Sequence, residues 1–188
     1  MVTSLNNSTS DIKKEMCSAR HCKGVLTSKE CQVVLGYIEA LNLNKVRSDI
    51  LSKVDQVILE RSPENDWLYK KVQETLLKIN DEYYQFEVVG LEDIQLLEYH
   101  FLHYMHPHFD CFTPSTSDRK LVISIQIGPD RYLGGNLFVR AAEGLIRASR
   151  NDGDALVFPA YLQHFVSRIF FGKRTSLVCR LRGKNDLQ

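Results

Sequence analysis

Leu121-Val122-Ile123-Ser124-Ile125-Gln126-Ile127 carries leucine or isoleucine at every second position. Successive side chains of a strand point to opposite sides, so this alternation puts four apolar residues on one face of a β-strand. Other short apolar runs surround it. Phe86 to Val89 and Ile94 to Phe101 precede it, and Leu137 to Arg140, Ala155 to Phe158, Phe165 to Phe171 and Ser176 to Leu181 follow. Gly128-Pro129-Asp130, Gly134-Gly135, Asn151-Asp152-Gly153-Asp154 and Gly172-Lys173 separate them as turns. Before residue 83 the period is helical. Thr27-Ser28-Lys29-Glu30 has capping-box spacing, and Val33, Val34, Tyr37, Ile38 and Leu41 then predict a helix over about 28–42. Ser62-Pro63 predicts a second helix with proline at its first position. Trp67, Leu68, Val72, Leu76 and Ile79 form its apolar stripe, ending near Asn80. Residues 43–61 fit a helix or a strand. Two helices followed by about seven strands predict an α+β chain, with a barrel or sandwich core flanked by the N-terminal helices.

The 188 residues suit one domain at roughly 150 residues per domain. Residues 1–20 are polar and are expected to be a flexible arm. Residues 21–188 then form the domain, with helical support in 21–82 and the β core in 83–183. The 24 Lys and Arg nearly balance the 23 Asp and Glu, for a net charge of +1, which argues against a dedicated nucleic-acid binder. No apolar run is long enough for a membrane span, and Met1 to Lys14 lacks the apolar core of a secretion signal. The five cysteines are odd in number and lack C-x-x-C spacing, so neither a disulfide framework nor a structural zinc site is expected. Reduced thiols in the cytoplasm are the expectation.

Four of the six histidines fall at 100, 103, 106 and 108. His108 and Asp110 are spaced i, i+2, so on a strand they share a face and offer one imidazole nitrogen and one carboxylate oxygen to one ion. His164, opening an apolar strand, is the natural third ligand. Two histidines and one carboxylate on one octahedral face make the facial triad of non-haem Fe(II) oxygenases. Alone, the H-x-D triplet is a weak signal, and a loop histidine with a solvated aspartate is the plain alternative. Arg174, ten residues after His164, adds weight, since an arginine pairs bidentately with the distal carboxylate of a dicarboxylic cosubstrate. Hydroxyls of Tyr99 and Ser176 would add hydrogen bonds.

These motifs, in this order, resemble the Fe(II)- and 2-oxoglutarate-dependent oxygenases of the prolyl 4-hydroxylase superfamily. Gln95-Leu96-Leu97-Glu98-Tyr99 is similar to a family strand ending in tyrosine, and Pro107-His108-Phe109-Asp110 to the iron motif. Asp118 to Ile127, Tyr132-Leu133-Gly134-Gly135-Asn136-Leu137, Gly153 to Pro159 and Gly172-Lys173-Arg174-Thr175-Ser176-Leu177 are similar to the segments that follow. The resemblance covers about half the chain, from Ile94 to Gly183. It implies a double-stranded β-helix, a jelly roll of two facing sheets. His108 and Asp110 would end the second core strand, His164 would begin the seventh, and Arg174 would open the eighth on the opposite sheet after a corner at Gly172.

The resemblance also implies Fe(II), 2-oxoglutarate and O2 as reactants, with ascorbate supportive and no catalytic group beyond the metal ligands. The implied reaction hydroxylates an aliphatic C–H of an amino acid, a peptidyl residue or a related small molecule, releasing succinate and CO2. Asp110 stands where related halogenases have glycine or alanine, so hydroxylation is expected rather than halogenation. His106 would share a strand face with His108 and meet substrate, and Arg140 would hold an anionic substrate or lie exposed on its strand. The competing readings are a metal-binding jelly roll that acts as a sensor or binding module, and a nucleic-acid demethylase. Arg174 and Arg180 have the R-x5-R spacing of such demethylases, but no basic cluster accompanies them.

Overall fold

The structure, a computed structural model, describes residues 15–40, 46–47, 52–128 and 131–184. In chain order its elements are β1 (Arg20–Cys22), α1 (Ser28–Ala40), β2 (Val46–Arg47), β3 (Ser52–Lys53), β4 (Asp55–Leu59) and α2 (Asp66–Ile79). After a π-helical turn (Asn80–Tyr84) come β5 (Val88–Leu91), β6 (Ile94–Tyr99), β7 (Tyr104–His108), β8 (Arg119–Ile127) and β9 (Leu133–Gly134). The last are β10 (Leu137–Ala141), β11 (Gly144–Arg147), β12 (Ala155–Pro159), β13 (His164–Val166), β14 (Ile169–Phe171) and β15 (Arg174–Gly183). The larger sheet runs β1-β12-β8-β15-β6-β4-β2, with β5 also on β15, and the smaller runs β11-β10-β13-β7-β3. Pairing is antiparallel throughout both, which is the double-stranded β-helix.

The period-two stretch that begins the sequence argument is β8. Leu121, Ile123, Ile125 and Ile127 do share a face, and that face packs on the helices with Val34, Leu68, Val72 and Leu76. The opposite face of the sheet carries Val122, Leu97, Tyr99, Phe158 and Val178 into a second core, between the sheets. In β15 the same alternation sends Leu177, Cys179 and Leu181 to the helices. Truncating a fully buried leucine or isoleucine of either core typically costs about 2–5 kcal/mol.

Local chemistry explains where the helices begin. The capping box at α1 is reciprocal. The Glu30 amide donates to Thr27 Oγ1 at 3.3 Å, and the Thr27 amide donates to Glu30 Oε2 at 2.7 Å. The second helix starts later than Pro63 predicts, because residues 63–65 form a turn and α2 opens at Asp66. Asn65 precedes it with its side chain turned backward, accepting from the Ser62 amide and donating to the Glu60 carbonyl.

Two boundaries expected from sequence are corrected. The segment 21–82 is not purely helical support. Residues 46–47 and 55–59 are strands of the larger sheet, and 52–53 pair with β7 in the smaller one. Residues 15–20, which the sequence assigns to a flexible arm, belong to the fold. Residues 1–14 lie outside the described residues, whereas Ser18 and Ala19 are buried and β1 pairs with β12. Tyr84 and Tyr161 each donate a hydroxyl hydrogen bond to this stretch, at Ser18 O and Met16 O.

Gly153 ties the segment between β1 and α1 to the turn before β12. Its φ is +80°, its carbonyl accepts from the Leu26 amide at 3.1 Å, and a Cβ would lie 1.8 Å from the Leu26 oxygen. A left-handed non-glycine residue costs roughly 1–2 kcal/mol, and here the backbone must also move apart. Gly153→Ala is expected to lower unfolding free energy by at least about 2 kcal/mol, read from the urea midpoint at constant slope. An unchanged midpoint would refute this contact.

Candidate metal centre

β7 and β13 lie side by side in the smaller sheet, with His108 opposite His164 and their rings 4.1 Å apart. Two residues further along β13, Val166 pairs with Met105, three residues back on β7. The extra residue on β7 is a β-bulge, and a bulge reverses the alternation of faces. Met105 and His108 therefore both line the cavity between the sheets. His106 is exposed, and its ring lies edge-on to Tyr104 at 4.8 Å. The shared face expected for His106 and His108 does not form. His106 serves the site through its backbone instead, because its carbonyl accepts a 2.8 Å bond from His108 Nδ1.

His164 Nδ1 is held in the same way, 3.0 Å from the Leu162 carbonyl. A carbonyl only accepts, so Nδ1 of each ring is the donor and Nε2 is the nitrogen turned toward a metal. Burial pushes His164 down to about 4, against the opposing pull of the Asp110 charge, so this ring is neutral at physiological pH.

Asp110 follows the end of β7 in a bend fixed at both backbone groups. Its amide donates to the Ala160 carbonyl at 3.0 Å, and its carbonyl accepts from Arg119 Nη1 at 3.2 Å. Arg119 is itself anchored by a two-point pair with Glu92 at 2.7 and 2.8 Å. The two carboxylate oxygens then face different partners. Oδ1 lies 3.6 Å from His108 Nε2 and 3.9 Å from His164 Nε2, whereas Oδ2 accepts from Arg180 Nε at 2.9 Å. Burial works to raise the Asp110 carboxyl, but the charge of Arg180 and its hydrogen bond hold it below the ordinary carboxylate value. The donor atoms of His108, Asp110 and His164 all lie within 4.8 Å of one another. Two imidazole nitrogens and one carboxylate oxygen on one side of a point suit a six-coordinate ferrous ion with three positions left open.

Arg174 opens β15, on the opposite sheet, and its backbone pairs with Tyr99. The corner expected at Gly172 therefore forms. The Arg174 side chain enters the cavity that His108 and His164 line. It is only 4% exposed. Its Nη1 donates to Ser176 Oγ at 3.1 Å, and its guanidinium carbon lies 5.3 Å from the centre of the Tyr99 ring. No carboxylate among the described residues pairs with it. Tyr99 is held neutral, its hydroxyl pushed up to about 12 by burial. Arg140 is not brought to the cavity and is exposed on β10.

Arg180 was legible in the sequence only through its R-x5-R spacing from Arg174, and its place beside a metal ligand was not. It sits six residues after Arg174 on the same strand, so the two share the cavity face with Ser176 and Val178. It is buried, bonded to Asp110, and its Nη1 donates to Gln95 Oε1 at 2.6 Å. That even spacing on β15 was the signal for a shared cavity face, and the metal-ligand motifs carried none.

No family model matches the sequence, and no curated protein matches it. Solved structures do share the fold. A Pseudomonas putida prolyl-4-hydroxylase superposes with a TM-score of 0.74 at 15% identity, covering 88% of this chain and 92% of that one. A Trichoplax adhaerens prolyl hydroxylase, solved with a peptide of the hypoxia-inducible factor oxygen degradation domain, gives 0.73 at 13%, covering 94% of each chain. A Burkholderia pseudomallei oxidoreductase of the 2OG-Fe(II) oxygenase family gives 0.66 at 15%, covering 96% of this chain and 92% of that one.

Proposed function

We propose that the chain is an Fe(II)- and 2-oxoglutarate-dependent oxygenase that hydroxylates an aliphatic C–H of an amino acid, a peptidyl residue or a related small molecule. One observation carries the proposal. Arg174 is a buried cation without a carboxylate partner among the described residues, in the same cavity as the histidine–aspartate–histidine cluster. An unpaired buried charge is costly, so a site that keeps one is built for a ligand of opposite sign. A dicarboxylate meets both ends: one carboxylate on Arg174, and a 2-keto acid head at two of the three open metal positions. The bound iron would supply the O2 chemistry that converts 2-oxoglutarate to succinate and CO2.

The chain's own work is placement. Backbone carbonyls hold Nδ1 of His108 and His164 so that Nε2 faces the metal position, and Arg119 fixes the Asp110 backbone. Arg174, Ser176 and Tyr99 hold the far end of the cosubstrate. Val122, Leu137, Phe158, Val166 and Val178 line the walls and exclude water. A peptidyl substrate draws support from the peptide bound to the Trichoplax adhaerens protein of the same fold. The decisive assay supplies iron, ascorbate, 2-oxoglutarate and O2 with an amino-acid and peptide panel. Expected are substrate-stimulated succinate and a product heavier by one oxygen. Iron-loaded protein that neither binds nor consumes 2-oxoglutarate would overturn the reading.

A further inference from the structure

The two oxygens of Asp110 are assigned to different cations. Oδ1 faces the histidine nitrogens, and Oδ2 is bonded to Arg180 Nε at 2.9 Å. Arg180 is immobilised in turn. It is buried on β15, which pairs with β8 through most of its length, and its Nη1 is bonded to Gln95 on β6. The guanidinium thus spans from one sheet to the loop that carries the metal ligand of the other. A carboxylate free at both oxygens can close onto a cation with two bonds, as it does in flexible oxygen-rich sites. Here the second oxygen is already engaged in a charge-assisted hydrogen bond.

Six-coordinate geometry makes the difference functional. Two histidines and one carboxylate oxygen leave three positions, which is the number needed for a two-point keto-acid chelate and O2 together. A two-oxygen aspartate would leave only two. We infer that Arg180 is a positioning residue that keeps Asp110 a one-oxygen ligand and thereby keeps the third metal position open. This rests on the reading of the cavity as an iron and 2-oxoglutarate site, and it goes beyond that reading by giving a role to a residue that acts through a metal ligand.

The test uses full-length protein loaded with Mn(II) in place of iron. Paramagnetic resonance in 17O-labelled water counts the exchangeable waters on the ion. Arg180→Met is expected to carry one fewer than wild type. Its affinities for 2-oxoglutarate and for pyruvate, which lacks the distal carboxylate, should fall together by about tenfold or more, the usual scale for losing a partner of a metal ligand. Arg174→Met should keep the water count and weaken 2-oxoglutarate alone. Should Arg180→Met fail to fold, Gln95→Met loosens the same guanidinium without emptying its space and is expected to shift both readouts in the same direction. Unchanged water count and unchanged keto-acid affinities in a metal-loaded, folded variant overturn the role of Arg180. Wild-type protein that binds Mn(II) but neither keto acid overturns the cosubstrate reading instead, and the water count still decides the role of Arg180.

Discussion

His164→Ala is expected to abolish stable iron binding. The remaining donors are one nitrogen and one carboxylate oxygen, and the Asp110 carboxylate still has Arg180 as an alternative partner. Losing even a partner of a metal ligand costs about 10–100-fold in affinity, so losing a ligand itself should cost at least about 100-fold. His164 borders the cavity between the sheets, beside Phe158 at 4.8 Å, rather than a closed core, so the fold should survive its loss. The measurements are iron content after dialysis and the far-ultraviolet spectrum. A folded variant that retains stoichiometric iron and full turnover would remove His164 from the centre.

Arg174→Ala is expected to raise the dissociation constant for 2-oxoglutarate by tens-fold or more while iron binding persists. Breaking one side of a buried, hydrogen-bonded charge pair costs about 2–5 kcal/mol, each 1.4 kcal/mol being a factor of ten. The same substitution carries a second signature. In the ligand-free protein Arg174 is a buried charge without a carboxylate partner among the described residues, so its removal relieves a desolvation cost. The ligand-free variant should melt no lower than wild type, and only the stabilisation by added 2-oxoglutarate should disappear. Titration calorimetry and thermal denaturation with and without ligand check both. Unchanged cosubstrate affinity would take Arg174 out of the site.

Much of this was legible in the sequence, and the reasons are specific. Strand alternation in β8 and in β15 survives folding because both strands are central and covered on both faces. His108, Asp110, His164 and Arg174 were legible as an ordered set of motifs, and the fold brings all four to one cavity region. What was missed depends on facts beyond local spacing. The orientation of His106 is decided by a bulge against β13, a property of the pairing and not of the H-x-H-x-D string. The bond from Arg180 to Asp110 joins residues 70 apart and requires both sheets to exist first. Strand β4 was ambiguous because Val57 and Ile58 satisfy either period until β6 pairs with them. Pro63 is compatible with a helix start, but the Asn65 side chain, bonded backward to Glu60 and Ser62, places it in a turn.

The larger sheet has two unlike sides, and this bears on how such a protein lives in a cell. Toward the helices it is closed with hydrocarbon and asks nothing of the solution. Toward the smaller sheet it buries Arg174, Arg180, Ser124 and Ser176 against Asp110 and His164. Those groups lost water on folding, and metal and dicarboxylate would return what they lost. A ligand at 100 times its dissociation constant adds about 2.7 kcal/mol to stability, a large part of the 5–15 kcal/mol typical of a domain. Nutrient status would then govern the amount of this protein as well as its rate. Copies made when iron or 2-oxoglutarate is scarce would unfold more often and be cleared first by proteases, whereas copies made in plenty would persist.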